Sequence, residues 1–381
     1  MNHSEIVYLQ EALGIELAFA SSRPEFYALA LPDGRAYLFP ANSTKAFTAS
    51  LSLYQPQRIG ARVFGRLLAI RPSLARWLLQ GMNVNGMDKW QVFFSDLFQK
   101  KDVIVAISLG TPSAHRKPVI QILTENGKAL GFAKIGWNET TAHLVEREAK
   151  MLERLPSHTQ KLLFPRIIFW GQYQKRILCV QSAPTEKGLS LQQRLTPSIV
   201  DAVIELAEVN RYDQPLYRSV FWNDLDRHIE QMEDEESRQG FRRNMQTILG
   251  AIGKWEIPFH ASHGDLSPWN AMQTRGSLYL YDWEYASFDK PAGYDLCHFL
   301  VQVHTLVKKA SAADVYSLTL KSLQDEPALK YWRRLGLKFH PAFLMLYLLE
   351  RSVFSSVEKL PSLNPSRFLD QLMYLCQTNM K

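Results

Sequence analysis

The chain has 381 residues, which is long enough for two or three domains and a sizeable core. Hydrophobic residues make up 46% of it and charged residues 21%, which is typical of a globular protein and excludes a disordered or fibrous chain. The net charge of +7 suits nucleic acid, an anionic membrane or phosphorylated substrates as partners. The sequence lacks long basic runs and basic patches interleaved with aromatic residues, so we expect no nucleic acid.

The cysteines and the apolar runs indicate the cellular compartment. Cys179, Cys297 and Cys376 are far apart and lack metal-ligand spacing, which indicates free thiols in a reducing environment. The first residues lack the basic start and apolar core of a signal peptide. The longest apolar run, residues 342–349, is too short for a membrane span and is better explained as a core helix. We therefore expect a cytoplasmic protein.

Residues 1–98 are predicted to form an N-terminal α+β extension. Within it, residues 26–31 and 35–39 flank Pro32-Asp33-Gly34, a pattern typical of a β-hairpin. Ser43 follows at a position suited to capping a helix.

A basic amphipathic segment at residues 55–82 is predicted to form one or two helices, divided near Pro72. Its cations are interspersed with large apolar residues and are Arg58, Arg62, Arg66, Arg71 and Arg76. Two interpretations stay open. The segment either contacts an anionic membrane surface or a lipid-linked substrate, or it packs on the rest of the protein with its arginines facing water. Both produce the same pattern, and we favour packing.

The strand predicted at residues 129–135 has Phe132 and Lys134 on one face, because side chains alternate along a strand. A helix is predicted to begin near Asn138, and Glu148 falls on its apolar stripe. A carboxylate on an apolar face is costly unless it is paired. We therefore predict an ion pair between Lys134 and Glu148.

Two further strands are predicted at residues 164–170 and 176–181, with a turn between them. From about residue 187 the pattern is mostly helical, and the predicted pieces are residues 191–195, 199–209, 222–249, 294–307 and 341–360. The acidic run at residues 233–236 suits a cationic substrate, or else a solvated helix face or a turn between helices, and the second explanation is favoured.

The most informative segment is His-Gly-Asp-Leu-Ser-Pro-Trp-Asn, from His263 to Asn270. A short apolar strand at residues 278–281 follows and ends at Asp282. Folding this strand back beside the loop would bring Asp282 toward Asn270. One carboxylate and one amide oxygen suit Mg²⁺, which takes few ligands from the protein and completes its shell with water and phosphate. Asp265 is placed to accept the proton of an attacking hydroxyl.

These segments resemble the catalytic and metal-binding motifs of the aminoglycoside phosphotransferase and choline kinase-like family. The resemblance implies an α+β, two-lobed protein-kinase-like fold. Its small antiparallel-sheet lobe would span residues 99–185 and its large helical lobe residues 186–381, after the N-terminal extension at residues 1–98.

The resemblance also implies roles for individual residues. Asp265 would be the catalytic base, and Asn270 and Asp282 would bind Mg²⁺. His263 would brace the catalytic loop. Asp295 resembles the family's buried helix-start aspartate that steadies this loop, although an ordinary acidic residue in a first helical turn explains it as well.

On the nucleotide side, the resemblance implies that Lys134, held by Glu148, contacts the phosphates. The residues from Gln181 to Ala183 would be the hinge whose backbone groups bind adenine. The phosphate-covering loop would be residues 108–117, between strands at residues 103–107 and 119–123. This loop departs from the family pattern because Gly110 is its single glycine, although its hydroxylated residues and the cations Arg116 and Lys117 offer other donors.

The implied function is an ATP- and Mg²⁺-dependent phosphotransferase that moves the γ-phosphoryl group to a hydroxyl of an aminoglycoside, amino alcohol, sugar or glycan-like molecule. One alternative is a catalytically weak or inactive kinase-like nucleotide-binding module, which the glycine-poor loop favours. A protein kinase ranks lower, because the usual Asp-Phe-Gly and Ala-Pro-Glu segments are missing. The candidate acceptor contacts are Trp269, Trp283, Glu284 and Tyr285, and Glu284 and Asp289 are candidates for holding a positive group.

Overall fold

The computed structural model describes residues 1–54, 59–156, 159–185, 188–190, 192–357 and 365–379. The chain divides into two compact units. The first is Met1–Glu153 with Pro165–Ala183, and the second is Arg154–Phe164 with Pro184–Lys381. The first unit is built around a large sheet, and the second is mainly helical, as the sequence predicts.

The strands are Glu16–Phe19 (β1), Phe26–Ala30 (β2), Ala36–Pro40 (β3), Gln80–Asn85 (β4), Ile104–Leu109 (β5), Pro118–Leu123 (β6), Ala129–Gly136 (β7), Leu162–Leu163 (β8), Ile167–Tyr173 (β9), Arg176–Ser182 (β10), Leu189–Ser190 (β11), Tyr212–Pro215 (β12), Glu256–Ser262 (β13), Ala271–Gln273 (β14), Leu278–Leu280 (β15) and Ser287–Pro291 (β16).

The α-helices are His3–Leu13 (α1), Thr44–Ser50 (α2), Ile59–Ile70 (α3), Ala75–Leu78 (α4), Met87–Phe98 (α5), Glu139–Arg154 (α6), Pro197–Ala207 (α7), Val220–Glu230 (α8), Glu235–Ile252 (α9), Tyr294–Gln302 (α10), Ala312–Gln324 (α11), Ala328–Arg334 (α12), Pro341–Val357 (α13) and Pro365–Asn379 (α14). Short 3₁₀ helices lie at Leu51–Leu53, Pro72–Leu74 and Leu216–Arg218, and a π-helical turn lies at Val303–Val307. No helix of the described residues has the length and apolarity needed to cross a bilayer.

The sheet of the first unit has nine antiparallel strands in the order β1-β4-β2-β3-β5-β6-β7-β10-β9. The predicted hairpin is confirmed as β2 and β3, which pair from Phe26 with Pro40 to Ala30 with Ala36. Next, β3 pairs with β5, so the strands of residues 1–98 continue the sheet that contains Lys134. The division at residues 98 and 185 stays a prediction.

Strand β3 is buried along its whole length because helices cover both faces of the sheet there. Leu38 belongs to a core that includes Trp90 of α5, whose indole N–H donates to the Leu13 carbonyl at 3.0 Å. Phe39 points to the opposite face and packs with Phe47 of α2. Side chains alternate along a strand, so an apolar residue at every position of β3 predicts two covered faces.

The connection between β9 and β10 is shorter than predicted. The strand expected at residues 164–170 begins at Ile167 and continues to Tyr173, so the turn consists of Gln174 and Lys175 alone. Both turn residues have positive φ, of 46° and 63°. A two-residue turn of this kind matches the right-handed twist of the strands it joins, which lets the pairing run to its end.

Two predicted helices are wrong. Residues 192–195 are not helical, and Leu191 lies outside the described residues. The predicted helix at residues 222–249 is divided into α8 and α9, because the Asp234 side chain accepts a hydrogen bond from the Ser237 N–H at 2.8 Å and starts a new helix. The acidic run therefore forms the start of α9, as the favoured explanation predicts. The end of the predicted helix at residues 341–360 lies outside the described residues.

A largely buried ion cluster fixes α13 beside the start of α10 in the second unit. The Glu350 carboxylate accepts from Lys290 Nζ and from the Tyr294 hydroxyl, both at 2.6 Å. Although burial opposes ionisation, Lys290 and then Arg351 lower the pKa of Glu350 to about 2. The carboxylate is therefore charged at neutral pH, and its two oxygens accept from Lys290 and Tyr294.

We predict that Glu350→Gln lowers the free energy of unfolding by about 3 kcal/mol at pH 7, because it leaves Lys290 buried beside a neutral group. The pKa of Glu350 is lower in the folded than in the unfolded chain. Its contribution is thus fully present above about pH 4.5 and is lost as the pH falls toward 2. Urea unfolding at pH 7 and at successively lower pH should show the difference between wild type and variant shrinking.

The matched control is Glu326→Gln, which removes an exposed ion pair with Arg333 and should change the free energy of unfolding by less than about 1 kcal/mol. A Glu350→Gln effect that stays constant as the pH falls would contradict the proposed charge dependence.

Candidate active site

The segment 263–270 and the strand after it lie side by side. β14 pairs antiparallel with β15, with Ala271 opposite Leu280. One residue further along, the Tyr281 N–H donates to the Asn270 carbonyl at 3.1 Å. The predicted return of the strand beside the loop is therefore confirmed, and it places Asp282 directly after the backbone partner of Asn270.

Asp295 fixes the beginning of this loop. From the first turn of α10, its carboxylate accepts the N–H groups of His263 and Gly264, each at 2.9 Å. Asp295 is buried, as the resemblance implies. Gly264 has φ +77°, and a side-chain carbon there would lie 2.2 Å from the Tyr285 carbonyl oxygen, so the turn requires glycine.

His263 braces the loop from within the core. Its Nδ1 accepts from the Asp265 N–H at 3.3 Å, and its Nε2 lies 3.1 Å from the Tyr281 carbonyl oxygen. A carbonyl only accepts, so the proton is on Nε2. Burial lowers the pKa of His263, which keeps the ring neutral and suits this pair of contacts. The imidazole thus connects the loop of residues 263–270 to the strand that leads to Asp282.

Both carboxylate oxygens of Asp265 are oriented by neighbours. Oδ2 accepts from Asn270 Nδ2 at 2.7 Å, and Oδ1 lies 2.8 Å from His298 Nε2. The Asp265 side chain is 27% exposed, so it is held but still reaches solvent. His298 is fully buried, and its Nδ1 lies 3.2 Å from the Tyr347 hydroxyl. This arrangement orients a carboxylate that can accept a proton from an approaching hydroxyl.

Sequence reasoning missed His298 and Tyr347. The signal available for His298 was its position three residues after Asp295, which puts both side chains on one side of α10. Tyr347 comes from α13 and had no such signal, because only the packing of α13 against α10 brings it to the site.

Asn270 and Asp282 have features that suit a cation. Both hydrogen bonds from Asn270 to Asp265 come from its amide nitrogen, so its amide oxygen is the atom that would ligate a metal. Asp282 has φ +72°, which non-glycine residues adopt rarely and which often marks functional sites. In the part of the chain that the structure describes, no cluster of three His, Cys, Asp or Glu residues is arranged to hold a metal. A cation here would depend on water and phosphate for its other ligands.

The predicted ion pair of the first unit is confirmed as a contact. Lys134 Nζ, on β7, lies 2.6 and 2.7 Å from the two carboxylate oxygens of Glu148, on α6. Both side chains are buried. Cys179 lies opposite Lys134 on β10, and burial raises the pKa of its thiol to about 12, so it adds no charge beside the pair.

Gln181 and Ala183, two of the predicted hinge residues, make different contacts. Gln181 is buried at the end of β10, and its side-chain amide lies 3.6 Å from Cys179 Sγ. The Ala183 N–H donates to the Leu130 carbonyl at 3.3 Å. Adenine binding by Gln181 and Ala183 stays a prediction.

Arg116 of the loop at residues 108–117 makes intramolecular contacts, and its contribution of charge to phosphate binding stays a prediction. Its guanidinium lies over the Tyr8 ring, 4.6 Å from the centroid, and donates to the Gly34 carbonyl at 2.8 Å. Burial lowers the pKa of Arg116. The contact ties the loop to α1 and to the hairpin of the N-terminal region.

One predicted acceptor contact is wrong. Trp283 is fully buried, its indole N–H donates to the Leu280 carbonyl at 3.0 Å, and its ring packs against Phe164, so it is a core residue. The Asp289 carboxylate accepts from the Tyr212 hydroxyl at 2.9 Å, and its role in holding a positive group stays a prediction. Glu284 is buried, while Trp269 and Tyr285 are half-buried and stay candidates.

No protein-family model and no curated protein sequence matches the chain. The chain is similar to several solved structures. Choline kinase LicA from Streptococcus pneumoniae is similar with a TM-score of 0.50 and 14% identity, over 77% of this chain and 99% of that one. This similarity shows that the two chains share a fold, and the protein-kinase-like fold expected from the sequence is confirmed.

Two other solved structures are similar at lower scores. A thermostable mutant of aminoglycoside phosphotransferase APH(4)-Ia has a TM-score of 0.48 and 14% identity, over 76% of this chain and 99% of that one. A putative fructosamine-3-kinase from Haemophilus somnus has a TM-score of 0.43 and 12% identity, over 76% and 96%.

We predict that Asp295→Asn lowers the free energy of unfolding by about 2–3 kcal/mol. An amide presents one oxygen, and its NH₂ group would face the second of the two buried N–H groups, which loses its acceptor. Urea unfolding measures the change. The control is Asp314→Asn, an exposed aspartate in the first turn of α11 that contacts Ser311. Equal effects of the two substitutions would contradict a special role for Asp295.

Proposed function

We propose that this protein is a phosphotransferase that moves the γ-phosphoryl group of ATP to a hydroxyl of a small molecule. The observation that carries the proposal is the arrangement of Asp265, whose two carboxylate oxygens are held by Asn270 and His298 in a loop that Asp295 fixes. A general base must be oriented toward the proton it accepts, and this carboxylate is both oriented and accessible.

In the proposed mechanism, Asp265 accepts or orients the proton of the acceptor hydroxyl while the phosphoryl group is transferred. Asn270 Oδ1 and the Asp282 carboxylate would hold Mg²⁺, which neutralises charge on the phosphates when it is bound. His263 keeps the two segments in register through its contacts with Asp265 and Tyr281. The protein would contribute mainly positioning and electrostatic stabilisation.

Lys134 is proposed to contact the nucleotide phosphates. Burying an ammonium without a partner is costly, and Glu148 offsets this cost by accepting two short hydrogen bonds from Lys134. The pair therefore keeps a cation on β7 in a fixed geometry. Gln181 and Ala183 remain the proposed adenine contacts.

The acceptor is proposed as a class only: a small molecule with a free hydroxyl, such as an aminoglycoside, an amino alcohol, a sugar or a glycan-like compound. The competing proposal is a nucleotide-binding module with weak or no catalysis, which the glycine-poor loop and the engaged Arg116 favour. Release of ADP that depends on both Mg²⁺ and an added hydroxyl compound, measured over a panel of these acceptor classes, separates the two proposals.

We predict that Asp265→Asn lowers kcat by about 10²–10⁴-fold and leaves nucleotide affinity nearly unchanged, because an amide cannot accept the hydroxyl proton. Steady-state ADP release and calorimetric nucleotide binding measure the two quantities. The control is Asp201→Asn, which removes the ion pair with Lys330 and should leave both unchanged. Full turnover by Asp265→Asn would exclude the proposed role.

We predict that Asp282→Ala weakens Mg²⁺-dependent nucleotide binding at least about tenfold, because the metal loses its carboxylate ligand. Titration of a non-hydrolysable ATP analogue, with Mg²⁺ and with EDTA, should show the loss only when the metal is present. Asp282→Asn is the companion variant, since asparagine tolerates the positive φ and removes only the charge. Equal losses with and without Mg²⁺ would indicate a structural role instead.

A further inference from the structure

The positive charge of this protein is concentrated in one segment. Residues 34–87 contain seven Lys and Arg residues and no Asp or Glu. The whole chain has 44 Lys and Arg against 37 Asp and Glu, so the remainder carries 37 of each and is formally neutral. The net charge of +7 therefore belongs to this segment.

Helix α3 within this segment is apolar on two sides. One side faces the core, where Leu68 is fully buried and Phe64 packs partly. The other side carries Val63, Leu67 and Ile70 at spacings of four and three residues, which places them in one stripe. All three are exposed, and Ile70 is 76% exposed.

The exposed apolar side chains continue after the helix. Trp77 is 75% exposed and Leu78 is 50% exposed, although Ala75 and Leu79 beside them are buried and anchor this part of the chain. In the described residues, five of the twelve exposed large hydrophobic side chains fall between residues 63 and 78. Scattered exposed apolar residues are ordinary, but a concentration of this kind indicates an interaction surface. We call residues 63–78 the basic apolar surface.

Cations accompany the apolar side chains throughout. Arg66, Arg71 and Arg76 are exposed, and the Arg76 guanidinium lies 5.2 Å from the centroid of the Trp77 ring. Arg58 lies outside the described residues. The favoured interpretation from the sequence was that this segment packs on the protein and turns its arginines to water. The structure confirms packing for one side of α3 only, because the stripe of Val63, Leu67 and Ile70 faces outward with the arginines.

We propose that the basic apolar surface binds an anionic phospholipid bilayer at its interface. Aliphatic side chains and a tryptophan enter the headgroup and acyl boundary of a membrane, while arginines contact anionic headgroups. No helix of the described residues could cross a bilayer, so this is contact from one side. The attraction of a segment that holds the whole net charge for an anionic surface supplies the complementarity.

Other occupants fit less well. A second copy of the chain in a two-fold interface would bring the same arginines together without any acidic residue to offset them. Nucleic acid would use the arginines but would leave the aliphatic stripe of Val63, Leu67 and Ile70 without a function. An anionic bilayer uses both features.

The test is sedimentation of the full chain with vesicles of phosphatidylcholine alone and of phosphatidylcholine mixed with phosphatidylglycerol. We expect binding to the mixed vesicles at low salt and at least tenfold weaker binding to the neutral ones. High salt should weaken binding, since charges near the surface are screened over about 10 Å at 0.1 M and about 3 Å at 1 M ionic strength. No sedimentation with the anionic vesicles would overturn the proposal.

Two triple variants separate the contributions of the aliphatic residues and of the arginines to vesicle binding. The triple variant Val63→Gln, Leu67→Gln and Ile70→Gln keeps the charge and should lose at least tenfold in binding. The triple variant Arg66→Gln, Arg71→Gln and Arg76→Gln keeps the apolar residues and should lose both binding and its salt dependence. The matched control is Val92→Gln, which changes an exposed valine on α5 and should bind as wild type. Circular dichroism melting should show the same unfolding temperature for all, because the changed side chains are exposed.

Three further outcomes would overturn the proposal. The first is loss of binding in the arginine variant with unchanged binding in the aliphatic variant, which would indicate attraction without insertion. The second is a dimer of the wild type that the aliphatic variant dissociates, measured by sedimentation equilibrium. The third is tighter binding to a duplex oligonucleotide than to anionic vesicles at the same salt. Vesicle binding requires no phosphoryl transfer, so its failure leaves the proposed kinase activity to be tested on its own.

Discussion

The carboxylate of Asp295 is the contact on which the candidate active site depends. It accepts two successive backbone N–H groups, those of His263 and Gly264, in a buried position. Each buried N–H without an acceptor would cost about 1–3 kcal/mol, so the start of the loop has a strong preference for this one geometry. The positions of Asp265 and Asn270 follow from it, because the Asp265 N–H donates to His263 and the Asn270 amide donates to the Asp265 carboxylate.

Two helices of the second unit, α10 and α13, support this contact. Asp295 and His298 both belong to α10, and α13 contributes Tyr347 to His298 and Glu350 to the ion cluster with Lys290. An ionised carboxylate in a protein interior is costly unless it is paired, so the cluster strongly restricts how α13 sits against α10. The orientation of Asp265 is therefore determined by helices that lie 30 to 90 residues further along the chain.

In the first unit, the strands of residues 1–98 are part of the sheet that contains Lys134. β3 continues the sheet at β5, and α1 holds the loop at residues 108–117 through Tyr8 and Arg116. The same N-terminal region carries the basic apolar surface on the outside of α3. The N-terminal region thus extends the sheet that contains Lys134, and its outward side carries the basic apolar surface.

Local chemistry determined what the sequence alone could predict. The hairpin, the strand with Lys134, the helix stripe with Glu148 and the return of residues 278–281 beside Asn270 all follow from spacing, alternation or the cost of an unpaired charge. Each involves residues close in sequence, so the local sequence pattern is enough to predict the contact. The end of the strand at Tyr173 and the break before α9 were missed because turn and cap geometry depends on single residues.

Only the tertiary structure decided which side chains can take part in the candidate active site. Trp283 looked like a candidate acceptor contact, but packing places it in the core. Packing also brings Arg116 against Gly34 and Asp289 against Tyr212. His298 and Tyr347 looked ordinary, and packing brought them to Asp265. The reason is physical: a residue's chemistry is written in the sequence, but its burial and its partners depend on elements that are distant along the chain and meet only when it folds.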